Sequence, residues 1–178
     1  MRFAFRYRGC GKVHQGMPAL DASAPLSDYA VPEDERDMRC QLDWDACIID
    51  ESRYFIRGCL EVPVHGEPEP FSRGVWVSLS EQGLREWAAC CESGKRAHID
   101  PFFRWLNAAF KPYPDTANLK THVHLRDDFM CPVIALEPTN HPLAVKQREG
   151  ISIERVAERY ALVVHDAHAP GEGTDAED

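Results

Sequence analysis

The run RYFIRGCLEVPV, residues 53–64, constrains this chain more than any other stretch. Tyr54, Ile56, Leu60 and Val62 fall on one face, and Phe55, Arg57, Cys59 and Glu61 on the other. A period of two marks an extended strand, because successive side chains leave opposite sides of the backbone. The apolar face needs a core, so the chain must build a sheet around this strand. Gly58 in its interior marks a bulge or a close backbone approach. Arg57 and Glu61 pose a further choice. If their face is covered, each must pair or contact a ligand, since an unpaired buried charge costs several kcal/mol. If the face is open, they make a cross-strand surface pair worth at most about 1 kcal/mol.

Four more stretches read as strands: ACIID just before, GVWVSLS at 74–80, NLKTHVHLR at 118–126 and CPVIALEP at 131–138. NLKTHVHLR alternates cleanly, with Leu119, Thr121, Val123 and Leu125 on one face and Lys120, His122 and His124 on the other. In GVWVSLS, Trp76 alternates with Val75 and Val77 and so lies on the face away from them. An exposed tryptophan there would mark a partner site. The other aromatics, Trp87, Trp105, Phe102, Phe103, Phe110 and Tyr113, read mostly as core.

Helix signals punctuate these strands. Pro32 and the acids behind it predict one short helix. Ser78 with Glu81 reads as a capping box opening a helix through EQGLREWAACCES that stops near Gly94, with Leu84, Trp87, Ala88 and Cys91 as its buried stripe. PFFRWLNAAF is too densely apolar for periodicity to choose helix or strand. Asn140 or His141 caps a helix with Pro142 in its first turn and Gly150 as its stop. Ser152 then caps a second, whose Ile153, Val156, Ala157, Tyr160, Val163 and Val164 form an amphipathic stripe. Together these predict a single α+β domain over 1–168: a mostly antiparallel sheet of four or five strands, helices packed on one face, and a two-helix C-terminal segment. Residues 169–178 are acidic and glycine-rich and read as a disordered tail.

Charge and cysteine usage narrow the function. The chain has 178 residues with 29 acids against 20 lysines and arginines, a net charge of -9. That balance disfavours phosphate backbones, which are bound through Lys and Arg, and suits a basic protein partner. No apolar run reaches the roughly 18 residues of a membrane span, and the basic start is not a signal peptide. Neither nucleic acid nor membrane is expected as a partner. The seven cysteines, Cys10, Cys40, Cys47, Cys59, Cys90, Cys91 and Cys131, show no disulfide pattern and fit thiols in a cytoplasmic protein.

Two places could hold a metal. In YRGCGKVHQGMP, residues 7–18, Cys10 and His14 form a C-x3-H pair, and Cys40 with Cys47 could complete a tetrahedral zinc site if the chain returns. His122 and His124 point the same way from one strand and could share a metal with His65, His98 or His141, or frame another ligand.

Several segments resemble one family together: CGKVHQGMP, CIIDESRYFIRGCLEVPV, FSRGVWVSLSE, YPDTANLKTHVHLR and IALEPTNHPLAVKQREGIS. They are similar to the bacterial domain of unknown function 2199. The resemblance implies no established activity. It implies an N-terminal C-x-x-C-G-K-x-H knuckle, of which Cys10, Gly11, Lys12 and His14 match the second half while Tyr7 stands at the first cysteine.

No G-x-S-x-G elbow, phosphate-binding glycine loop, dinucleotide fingerprint or H-E-x-x-H is present. Asp45, Asp50, Glu61 and Asp115 show no pairing by spacing, and the adjacent Cys90 and Cys91 point about 100 degrees apart on a helix. The expectation is therefore a non-enzymatic protein-binding module, regulatory or immunity-like, with Arg57, Glu61, Trp76, His122 and His124 as its binding residues. The alternative is a small metal-binding protein or metalloenzyme using zinc.

Overall fold

In the computed structural model, residues 4–6, 13–15, 17, 19–110 and 113–166 are described. The strands are β1 (Ala4–Arg6), β2 (Val13–Gln15), β3 (Ala19–Asp21), β4 (Cys40–Leu42), β5 (Ala46–Ile49), β6 (Arg53–Val62), β7 (Phe71–Leu79), β8 (Phe102–Trp105), β9 (Lys120–His124) and β10 (Val133–Leu136). The helices are α1 (Leu26–Tyr29), α2 (Arg36–Arg39), α3 (Glu81–Cys91), α4 (Pro142–Glu149) and α5 (Ile153–Asp166), with a 3-10 turn at Glu33–Glu35. β1 and β2 form a separate antiparallel ribbon.

The expected sheet of four or five mostly antiparallel strands is overturned. Among the described residues the main sheet is mixed and has eight strands, in the order β3-β7-β6-β10-β9-β8 with the β4–β5 hairpin laid against β6. Two of its pairings are parallel, β3 with β7 and β10 with β6. Five short helices accompany it. Alternation reveals which face of a strand is apolar, but not which strand lies beside it or in which direction that neighbour runs. Both parallel partners are distant in sequence, so local patterning carried no trace of them.

The long β6–β7 ladder, from Tyr54↔Leu79 to Val62↔Phe71, is the spine. β6 shares its other edge between β5, up to Ala46↔Ile56, and β10, at Val133↔Cys59. Beyond β8, Leu106 bridges Val77 of β7, so the sheet curls back on itself. The inside of the curl is the main core: Ile56, Leu60, Val75, Val77, Leu106, Val123 and Ile134 are almost wholly buried. Leu143 and Ala144 of α4 and Val156 of α5 complete it. Gln147 of α4 plugs the widening gap beside β10, accepting from Leu136 N at 2.7 Å and donating to the Ile134 carbonyl at 2.7 Å. Backbone groups that β6 leaves unpaired are thereby satisfied.

A second core lies on the opposite face, built from Val31, Cys47, Ile49, Phe55 and Trp76 with Ala22 and Cys40 against it. Residues 74–77 of β7 are buried on both sides in consequence. Asn107 holds the covering segment in place. Its carbonyl accepts from Leu26 N, its Oδ1 accepts from Ser27 N at 2.9 Å, and its own N–H donates to the Trp76 carbonyl at 2.7 Å.

Gly58 sits in an unbroken ladder opposite Val75, so it marks a close approach and no bulge. The cap of α3 is Ser80, whose Oγ accepts from Gly83 N at 3.0 Å, while Ser78 remains in β7. Leu84, Trp87 and Cys90 pack against the core, whereas Ala88 is exposed. PFFRWLNAAF contributes a strand, and its Phe103 and Trp105 lie partly exposed on the outer face of β8. At α4, His141 is the cap, its Nδ1 accepting from Leu143 N at 3.1 Å, and Gly150 ends the helix at φ 81°. The tail 169–178 and the side chains of Tyr160, Val163 and Val164 lie outside the described residues.

Candidate functional site

Arg57 leaves the same face of β6 as Phe55, and its register partner is Trp76 on β7. Its guanidinium reaches edge strand β3, where Nη2 lies 2.9 Å from Asp21 Oδ1. Gly74 stands opposite Asp21 in the parallel β3–β7 pair. A Cβ at Gly74 would fall 2.2 Å from Asp21 Oδ1 and 3.2 Å from Arg57 Nη2, so the ion pair occupies the space a side chain would fill. The Arg57 side chain is only 19% exposed while that of Asp21 is 62% exposed.

Above this pair rises the β4–β5 turn. The Arg57 backbone N–H donates to the Asp45 carbonyl at 2.9 Å, and Asp43 N donates to the Ala46 carbonyl at 2.8 Å, fixing the turn against β6. The turn and the ion pair enclose an open cleft of about 430 Å³ lined by Asp21, Ser23, Leu42, Asp43, Trp44 and Arg57. Trp44, at the rim, is 81% exposed.

On the half-covered face of β6, Arg57 and Glu61 are each paired. Arg57 and Glu61 do not pair with each other, because their face is half covered and each has a partner from elsewhere. Glu61 Oε1 accepts from Arg126 Nη1 at 2.9 Å. Trp76 requires a correction: it is 1% exposed, its Nε1 donates to the Ala22 carbonyl at 3.0 Å, and it fills the second core. The face away from Val75 and Val77 is covered by residues 22–31, which a strand-by-strand reading could not place. Among the described residues the most exposed tryptophan is Trp44 instead. Two aspartates flanking a tryptophan in a hairpin, DWD, were the local signal for it.

His122 and His124 stand on the outer face of β9, while Thr121 and Val123 behind them are fully buried. His122 lies edge-on to Phe103, ring centroids 6.1 Å apart. His65 is hydrogen bonded to the Glu149 carbonyl at 2.7 Å, and His141 caps α4. Cys40 and Cys47 sit in the β4–β5 hairpin, opposite Ile49 and Leu42 respectively. Burial pushes the Cys47 thiol up to about 12, and it raises Cys40 as well, with help from a hydrogen bond to Asp28. His14 falls in β2 opposite Phe5, and its side chain and all of Cys10 lie outside the described residues. Among the described residues, no three His, Cys, Asp or Glu side chains gather as a metal-binding group. With His124 exposed and His122 half-buried against Phe103, replacing both with alanine is expected to cost no more than about 1 kcal/mol. A thermal melt checks this, and loss of bound zinc from the double variant would return the strand to the metal reading.

The geometry defines a mixed-sheet protein with an acid-rimmed cleft on its half-covered face. The chain belongs to the family described as an uncharacterized protein conserved in bacteria (DUF2199), whose sequence profile matches residues 7–151. Comparison with curated proteins and with solved structures found no match. Among the described residues, no helix is long and apolar enough to cross a membrane.

Proposed function

We propose that this is a non-enzymatic binding module of the bacterial cytoplasm, whose segment 28–45 docks a basic protein segment bearing an apolar anchor. A regulatory or immunity-type interaction has this character. The observation that carries the reading is the exposure of large apolar side chains along that one segment: Tyr29 53%, Met38 82%, Leu42 47% and Trp44 81%. Anchors of this kind dominate interface energy when a partner desolvates them.

Charge points to the same partner. The segment holds seven acids, Asp28, Glu33, Asp34, Glu35, Asp37, Asp43 and Asp45, against Arg36 and Arg39. Both arginines are already engaged: Arg39 pairs with Glu35 and Asp50, each at 2.6 Å, and Arg36 lies 4.0 Å from Asp28. Among the described residues Glu33, Asp34, Asp37, Asp43 and Asp45 form no ion pair, so their field is free to attract a cationic partner.

The test is a photo-crosslinking residue at position 44 in the native cell, followed by calorimetry with the purified captured protein. A basic partner is expected. Trp44→Ala with Met38→Ala should weaken its binding at least about 30-fold, roughly 2 kcal/mol for a central anchor pair. The melting temperature should not change, since both side chains are in solvent. Binding should also weaken as salt rises. Undiminished affinity in the double variant, or an acidic partner, would overturn the reading.

A further inference from the structure

On the same face of β6, two residues beyond Arg57, Cys59 faces Cys131, which lies just before β10. Their sulfurs are 2.9 Å apart, across the one register position where β10 meets β6. The approach is held by backbone on both sides. Cys59 N donates to the Pro132 carbonyl at 2.7 Å, and Arg126 Nε donates to the Cys131 carbonyl at 2.6 Å. Both thiols are free and half-buried. Neither belongs to the docking segment.

We propose that Cys59 and Cys131 form a dithiol that a hydroperoxide oxidises to a reversible disulfide, with Cys59 as the attacking sulfur and Cys131 as the resolving one. The two thiols are not equivalent. The hydrogen bond between the two sulfurs pulls the pKa of Cys59 below that of an ordinary thiol against the effect of burial, aided by Ser72 and by the positive charge of Arg126. Cys131 is pushed the opposite way, first by that same hydrogen bond and then by burial. The thiolate is the nucleophile in thiol oxidation, which gives Cys59 the first step.

The chemistry balances as follows. The Cys59 thiolate attacks one peroxide oxygen, the O–O bond breaks, and a sulfenic acid and hydroxide form. The Cys131 thiol then attacks the sulfenic sulfur, the S–S bond forms, and the hydroxyl leaves as water with the Cys131 proton. Two electrons pass from the sulfur pair to the peroxide. Sulfurs already adjacent need move only by about 1 Å to reach bonding distance. Cys131 is outside the regular strand, so its backbone has room to adjust.

The test uses reduced full-length protein treated with stoichiometric hydrogen peroxide, alkylated under denaturing conditions, and mapped by mass spectrometry. One disulfide linking Cys59 to Cys131 and reversed by dithiothreitol is expected. Cys131→Ser should instead accumulate a dimedone-reactive sulfenic acid on Cys59. Cys59→Ser should lose the free thiol of Cys131 at least about tenfold more slowly, its attacking thiolate being gone. The mapping on unmutated protein stands even if a variant folds poorly. Disulfides forming first among other cysteines, sulfenic acid arising first on Cys131, or both thiols remaining free would each overturn the proposal.

Discussion

Trp76→Ala is expected to destabilise the protein by about 3–5 kcal/mol, the range for deleting a large aromatic from a packed core. Trp76 is the largest of the fully buried side chains. Around it stand Val31, Cys47, Ile49 and Phe55, contributed by three different stretches of chain, so the cavity cannot collapse by moving one element. The loss also strands the Ala22 carbonyl, which the indole N–H serves. For a chain of this size each kcal/mol is worth roughly 2–4 °C, so a fall in melting temperature of about 10 °C is expected. Trp76→Phe keeps most of the volume and forfeits the hydrogen bond, and should cost well under half as much. Urea denaturation of the three proteins measures both. A loss below about 1 kcal/mol for Trp76→Ala would mean that residues 22–31 do not depend on this residue for their seat.

Gly58→Val should be comparably damaging for the opposite reason. A Cβ at Gly58 would lie 2.4 Å from Ile134 Cδ1 and 2.5 Å from its Cγ1, with the Pro132 carbonyl at 3.2 Å. Ile134 is wholly buried and cannot swing aside into solvent. Overpacking of this kind costs about 1–3 kcal/mol for a small addition, so Gly58→Ala belongs there and Gly58→Val at or above the upper end. β10 is joined to β6 at one register position, Val133↔Cys59, so the strand itself should be pushed off. Pairing Gly58→Ala with Ile134→Val should recover part of the loss, and a double-mutant cycle by denaturation reads the coupling. Full stability of Gly58→Ala would show that β10 does not press on β6 there.

These two residues show how far the chain could be read without its tertiary structure. Gly58 was legible, because a glycine inside an alternating strand needs a reason and close approach is one of two. What approaches was not legible, since Ile134 is 76 positions away. Alternation puts Trp76 on the correct strand and on the face away from Val75 and Val77, but it carries no information on that face being covered. A sheet face is open or covered according to what the rest of the chain lays on it. The spacing of Ser78 to Glu81 mimics a capping box, but β7 runs on to Leu79 and the cap falls at Ser80, because that spacing carries no information on where the strand stops. His141 and Gly150 were legible as the ends of α4, because caps are local contacts between residues a few positions apart.

The candidate cleft divides along the same line. Arg57 was visible as a charge needing an explanation. Asp21 and Trp44 were not, one because its edge strand runs parallel to β7, the other because an exposed tryptophan leaves no periodic trace. By itself the sequence determined the strands' apolar faces, the caps of α4, the acidic charge and the family. Only the tertiary structure decided the eight-strand mixed order, the second core around Trp76, the Arg57–Asp21 pairing and the meeting of Cys59 with Cys131. The physical reason is range: periodicity, capping and charge act between residues near in sequence, whereas partner choice in a sheet is settled by which distant surfaces bury one another.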